Sequence, residues 1–327
     1  MTTDRSIDWS RCVVVVVSPD SFLRGVGRRV VDEVLSCGCE QLASRVVQPG
    51  SLLLDTIYDD LAQRRIHFGT YRYRAIDTLY SLGPSLALLL RGMPQIHGHF
   101  TALKGSGALE RASPDSLRLR LGAVNTILGL LHASDSPEEA ELDWRTFFVR
   151  DRNNHGPTDL PDHPDALSSP GARALAALLD RPEGARETRG FPEVREQLRR
   201  ALVAHLWELL PRPEADVLAS ELLEPRELSV LPDAPLGDDF LARVAHGLDG
   251  HADLLLRRAL TSSFTPDQPP LDTERLWRAL DGAGISVDPW ARAVLTTSQH
   301  FPPLRRTPSV PVASRAPGIV AEPVPHA

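Results

Sequence analysis

Short apolar runs alternate with segments of helical period through the first 150 residues; beyond residue 170 only the helical period remains. "VVVVVSPDS" opens with a continuous β-branched run, Val13–Val17, cut off by a Ser-Pro-Asp turn, which predicts a short buried strand. "RGVGRRVVDEVLSCG" spaces Val26, Val30, Val31, Val34 and Leu35 on one helical face and stops at Gly38. "CEQLASRVVQP" predicts a second strand, and "SLLLDTIYDDLAQRR" and "TYRYRAIDTLYSLG" two further helices. "PSLALLLRG" supplies a third strand, a loop follows, and "NTILGLL" supplies a fourth that runs into His132. The last helix of this half starts at Ser136, where Ser136, Pro137 and Glu139 form a capping box with proline in the first helical position. This order fits an α+β fold: a ferredoxin-like, four-stranded antiparallel sheet with helices covering one side.

Residues 151–169, "DRNNHGPTDLPDHPDALSS", break all periodicity and predict a linker. Helical spacing then recurs at 171–180, 192–211, 214–223, 237–263, 272–282 and 288–298, with Pro and Gly in the gaps. The expected organisation is a mixed domain over 1–150, an all-α domain over 170–300, and a Pro-rich, disordered tail over 301–327.

Composition narrows the function classes. The chain has 327 residues, 42% hydrophobic and 24% charged, as expected of a soluble globular protein. The first half balances its charges, so the formal net charge of -7 arises in the second half. Neither half has the basic excess of a nucleic-acid binder. Val13–Val17 is too short for a signal-peptide core or a membrane span, which gives the expectation of a cytoplasmic protein with no membrane partner. Cys12, Cys37 and Cys39 have neither disulfide-framework nor zinc spacing and read as reduced thiols. His97 and His99 lack an evident third ligand, so no metal site is expected. His205, His246, His251, Trp207, Trp277 and Trp290 read as structural.

The chemistry gathers in "LLHASDSPEEAELDWRTFF". This segment resembles the hallmark Ile-Ile-His-Gly-Ser-Asp-Ser stretch of the nucleoside diphosphate kinases and the helix after it. Three other segments resemble the same family in the same order: "VVVVVSPDSFLRGVGRRVVDEVL", "YDDLAQRRIHF" and "SLGPSLALLLRG". The resemblance covers about residues 10–150. It implies a phosphotransferase that moves the γ-phosphate of ATP or another nucleoside triphosphate, with magnesium on the phosphates, through a phosphohistidine. A neutral imidazole is nucleophilic near pH 7 and suits that role. Carried over residue by residue, the resemblance makes His132 the nucleophile, with Ser134 and Asp143 orienting it. It places Tyr58, Arg64, Arg118 and Asp135 around the nucleotide and phosphates. Family members form oligomers, and the helical half is a candidate surface for self-association or a protein partner.

The departures point to a divergent member. Ser18 stands where the family has the lysine of its Lys-Pro-Asp turn, Gly129 where it has an asparagine, and Ile66 where it has a base-stacking phenylalanine. An expected arginine is missing from "IHGHFTALKGSG", where His99 is the nearest candidate. Lys104, the single lysine among 36 basic residues, could supply the missing turn cation from another direction. The alternative expectation is a catalytically degenerate nucleotide-binding or protein-interaction module.

Overall fold

The computed structural model describes residues 7–57, 70–150, 177–179, 189–223 and 235–304. After a short 3-10 turn, Trp9–Arg11, the chain forms β1 (Cys12–Val17), α1 (Pro19–Leu23), α2 (Gly27–Leu35), β2 (Glu40–Val47), α3 (Ser51–Ile57) and α4 (Thr70–Tyr80). It continues with β3 (Ser85–Arg91), α5 (Ile96–Lys104), α6 (Leu117–Arg120), β4 (Leu131–Ala133) and α7 (Pro137–Trp144). A π-helical turn, Arg145–Arg150, extends α7. The second half contains α8 (Phe191–Trp207), α9 (Arg212–Leu223), α10 (Asp238–Gly247), α11 (Leu254–Thr261), α12 (Thr273–Gly282) and α13 (Pro289–Ser298). The predicted linker at 151–169 and the tail from 305 lie outside the described residues; of the helix expected at 171–180, residues 177–179 are described and helical.

The sheet has the order β2-β3-β1-β4 with every neighbouring pair antiparallel. This is the predicted four-stranded antiparallel sheet with helices. The cover differs from the expectation of one protected side. A run with no polar alternation must be buried on both faces, and all six residues of β1 are buried. Val13, Val15 and Val17 join Leu86, Leu88 and Leu90 of β3 in one apolar cluster, closed by Val30 and Val34 of α2 and Ile96 and Phe100 of α5. Val14 and Val16 face the other way and share a second cluster with Leu54 of α3 and Ile76 and Leu79 of α4. That second cluster continues without a break into Val194 and Leu198 of α8 and Trp290 and Val294 of α13. The helical half therefore packs on the sheet side rather than standing apart. Each fully buried valine or leucine contributes about 1.5–3 kcal/mol to holding the layers together.

Three local predictions are corrected. The stretch 237–263 is two helices, because Gly250 takes φ +76° and Asp253 starts a new helix by accepting from the Leu255 N–H at 2.7 Å. "IHGHFTALK" is helical, with Ile96 and Phe100 buried one turn apart, where a loop was expected. "NTILGLL" is irregular and the strand itself is only Leu131–Ala133. There the Asn125 side chain accepts from the Ile127 and Leu128 N–H groups at 3.0 Å each, closing a turn that a strand would have to open.

Candidate active site

β4 is short, and three sets of contacts fix it. On its inner side, Ser18 N–H donates to Leu130 O at 3.1 Å and Ser134 N–H to Val14 O at 3.0 Å, bracketing the register pair Val16 and His132. In an antiparallel ladder, hydrogen-bonded residues alternate with residues whose backbone groups point away. The carbonyls of Leu131 and Ala133 therefore point off the sheet edge. Arg118 donates to Leu131 O at 3.0 Å and Lys104 to Ala133 O at 2.6 Å. Arg118 also donates to Gly105 O at 2.8 Å and Gly129 O at 3.3 Å. Side chains from α5 and α6 that cover the edge carbonyls also discourage pairing with another chain.

The third set of contacts lies at the entrance to the strand. Leu130 adopts φ +73°, unusual for a branched residue. Its N–H donates to Asp20 Oδ2 at 3.0 Å, and Ser18 Oγ donates to Asp20 Oδ1 at 2.6 Å. Asp20 is fully buried. Burial pushes its carboxyl above the ordinary aspartate value; the hydrogen bonds from Ser18 and Leu130 and the charge of Arg24 oppose the shift. The Ser-Pro-Asp turn thus clamps the chain two residues before His132.

Side chains alternate across a strand. Leu131 and Ala133 lie in the cluster of α2 and α5, so His132 projects toward the opposite face. There α7 presents Asp143. Ser136 caps α7 by accepting from the Glu139 N–H at 3.2 Å, and Pro137 occupies the first turn. The Glu139 carboxylate accepts from the Asp135 N–H at 2.7 Å, one residue before the cap. His132 Nε2 lies 2.7 Å from Asp143 Oδ2, with Asp143 2% and His132 23% exposed. A carboxylate only accepts, so Nε2 carries the hydrogen and the lone pair of the neutral ring resides on Nδ1. The arrangement is an imidazole oriented by a buried carboxylate.

The other predicted residues have partners of their own, and the charge of His132 also bears on Asp135. The Ser134 Oγ accepts from the Val14 N–H at 3.0 Å. Ser134 O faces His97 Nδ1 at 3.2 Å, so the hydroxyl takes over the ladder bond that this carbonyl would have made. Lys104, 7% exposed, also meets Asp135 Oδ1 at 2.6 Å, and Thr101 donates to the same oxygen at 2.6 Å. Burial lowers the Lys104 pKa, and Asp135 opposes that shift. Burial raises the Asp135 carboxyl, yet hydrogen bonds from Lys104 and Thr101 outweigh it and hold it below the usual range. Lys104, nominated from the sequence in place of the turn lysine, directs its ammonium at the strand edge and Asp135. His99 is exposed on α5, edge-on to Phe100 at 5.8 Å between ring centroids. Tyr58, Arg64 and Ile66 lie outside the described residues.

Residues 12–152 match the family model for nucleoside diphosphate kinase. They are a nucleoside diphosphate kinase family domain. The chain is similar to the nucleoside diphosphate kinase of Mycolicibacterium vanbaalenii, 28% identical over 137 residues that cover 41% of this chain and 94% of that protein. It is likewise similar to that of Streptomyces avermitilis, 29% identical over 143 residues that cover 42% of this chain and 96% of that protein. Among solved structures it aligns with a nucleoside diphosphate kinase family protein from Babesia bovis, 19% identical, with a TM-score of 0.37 over 42% of this chain and 88% of that one. The match ends at residue 152, before α8. Within the kinase-family domain, the sequence reading missed two buried polar residues that shape the His132 segment, Asp20 and Asn125, and weighed His97 only as a metal ligand. Of the two missed, only Asp20 had a visible signal, in its Ser-Pro-Asp turn.

Proposed function

We propose that this chain is a divergent nucleoside diphosphate kinase-like phosphotransferase. His132 Nδ1 attacks the γ-phosphorus of a nucleoside triphosphate; the P–N bond forms as the bond to the bridging oxygen breaks, and the diphosphate leaves. The terminal oxygen of a diphosphate acceptor then takes the phosphoryl and returns the neutral imidazole. Throughout, Nε2 keeps its hydrogen, and Asp143 stabilises the positive charge that develops on the ring. Magnesium arrives on the triphosphate as part of the substrate and offsets phosphate charge. Among the described residues no group of three potential ligands is assembled to hold a metal independently. The observation that carries this reading is the 2.7 Å pair of His132 Nε2 with the buried Asp143.

A second reading, a nucleotide-binding or protein-interaction module without turnover, is favoured by one observation. Two of the three cations nominated for phosphate, Lys104 and Arg118, donate to backbone carbonyls around β4, and the third, Arg64, lies outside the described residues. Incubation with γ-labelled ATP and magnesium separates the readings. Phosphotransfer leaves acid-labile, base-stable label on the protein that is absent from His132→Ala. No label at any nucleotide concentration, with ATP binding retained by calorimetry, supports the second reading.

A further inference from the structure

We infer that the helical half sets the position of His132 through Asn125, a positioning residue shared by the two halves of the chain. Asn125 is completely buried. Its Oδ1 accepts from the Ile127 and Leu128 N–H groups, which fixes the turn that leads into β4. Its Nδ2 donates outward to Thr297 Oγ1 at 2.8 Å and Ser298 Oγ at 3.2 Å on α13. Only one amide orientation satisfies both sides, since N–H groups need the oxygen and the hydroxyl oxygens accept from the nitrogen. Thr297 Oγ1 in turn donates to Ala293 O at 2.8 Å, so its acceptor lone pair is held toward Asn125. Next to this contact, Leu304 N–H donates to Val124 O at 2.9 Å, adding a backbone tie to the same turn.

The path from this contact to His132 is short and stiff. The Asn125 turn hands the chain to Leu130, whose left-handed backbone is pinned by Asp20, and His132 follows two residues later. A rotation of the Asn125 amide would free the Ile127 and Leu128 N–H groups and loosen the one end of β4 that α7 does not hold. The proposal rests on the reading of His132 as phosphoryl carrier. It goes beyond that reading by assigning the helical half a role in the rate at that residue.

The test compares Thr297→Val with Ser298→Ala, combined in one full-length chain, against Thr297→Ser, which keeps the hydroxyl. Two readouts are taken: single-turnover label at His132 from γ-labelled ATP, and the imidazole 15N shifts of His132 without nucleotide. The double variant is expected to lower the labelling rate at least tenfold, with ATP affinity unchanged, and to move the His132 15N shifts; Thr297→Ser restores both. Geometric error of about 1 Å at a reacting group is enough for such a loss. Wild-type labelling and unmoved 15N shifts in a folded double variant would overturn the inference. If the wild type takes no label, moved 15N shifts in the double variant still support positioning while phosphotransfer fails; unmoved shifts overturn both. Should the double variant fail to fold, Asn125→Asp provides the same comparison, because it keeps the turn acceptor and loses the donors to α13.

Discussion

Replacing Lys104 with methionine distinguishes a structural cation from a phosphate-binding one. The substitution keeps an apolar stem at the end of α5 and removes two bonds from the ammonium, to Ala133 O and to Asp135 Oδ1, both 2.6 Å. A hydrogen bond to a charged group is worth about 1.5–3 kcal/mol. The side chain is 7% exposed, so removing the ammonium also relieves a desolvation cost that offsets part of that loss. Asp135 is half exposed and keeps its bond from Thr101, so it is not stranded. Ala133 O, in contrast, loses a buried partner. The net expectation is a destabilisation of about 1–3 kcal/mol, seen in urea unfolding as a midpoint lowered by roughly 0.5–1 M. Asp135→Asn and the double variant complete a thermodynamic cycle, with a coupling of about 0.5–3 kcal/mol. ATP affinity by calorimetry should change less than threefold, about 0.6 kcal/mol. A variant that kept its urea midpoint but lost nucleotide affinity would refute the reasoning and make Lys104 a phosphate ligand.

Three further predictions concern the same strand. Asp143→Asn keeps the shape but removes the anion behind Nε2; single-turnover labelling of His132 should slow by about one to two orders of magnitude, the kinetic equivalent of about 1.5–3 kcal/mol, with ATP affinity little changed. Equal labelling rates in the two proteins would remove Asp143 from the mechanism. Asp20, whose carboxyl is raised by burial, binds its proton more tightly folded than unfolded, so its contribution to stability falls as pH rises from the unfolded aspartate value through the folded one. Asp20→Asn removes that titration: relative to the variant, the wild type should lose stability between acid and neutral pH in urea midpoints. A wild type that gained on the variant over that window would contradict the assignment. Asp20→Ala, which leaves the Leu130 N–H and Ser18 O–H without their acceptor, should cost about 1–3 kcal/mol.

The legible parts of this fold are those where one local rule decides. Val13–Val17 announced a buried strand because a β-branched run has no other economical home, and Ser136-Pro137 with Glu139 announced α7 because capping chemistry is local. His132 and Asp143 were found through the family resemblance, with no periodicity of their own to mark the pair. What was missed depends on contacts distant in sequence. The uninterrupted valine run implied cover on both faces, yet nothing local says that α4, α8 and α13 supply the second face. Asn125 makes its partners 172 and 173 residues away, and no window of sequence contains both ends. The bonds of Lys104 and Arg118 to the β4 carbonyls were not legible for a related reason: a cation near a candidate phosphate site reads the same whether it meets a phosphate or an outward strand carbonyl.

That ambiguity bears on what the serine at position 18 does to the chemistry. Ser18 is buried, its hydroxyl bonds Asp20, and its N–H holds Leu130 O, so the turn is built to clamp β4 and not to reach a ligand. Lys104 and Arg118 also hold the strand, and the site part that the described residues bring together is the pair of His132 with Asp143. Losing one electrostatic donor costs an enzyme about 2.7–4 kcal/mol in its transition state, a factor of 10²–10³. In the proposed mechanism the same phosphoryl crosses the same site in both half-reactions, so loading and unloading of His132 would slow together. The result expected of such a site is slow exchange through a phosphohistidine that still forms. A steady-state assay scaled to fast kinases would miss it, and single-turnover labelling over hours would detect it.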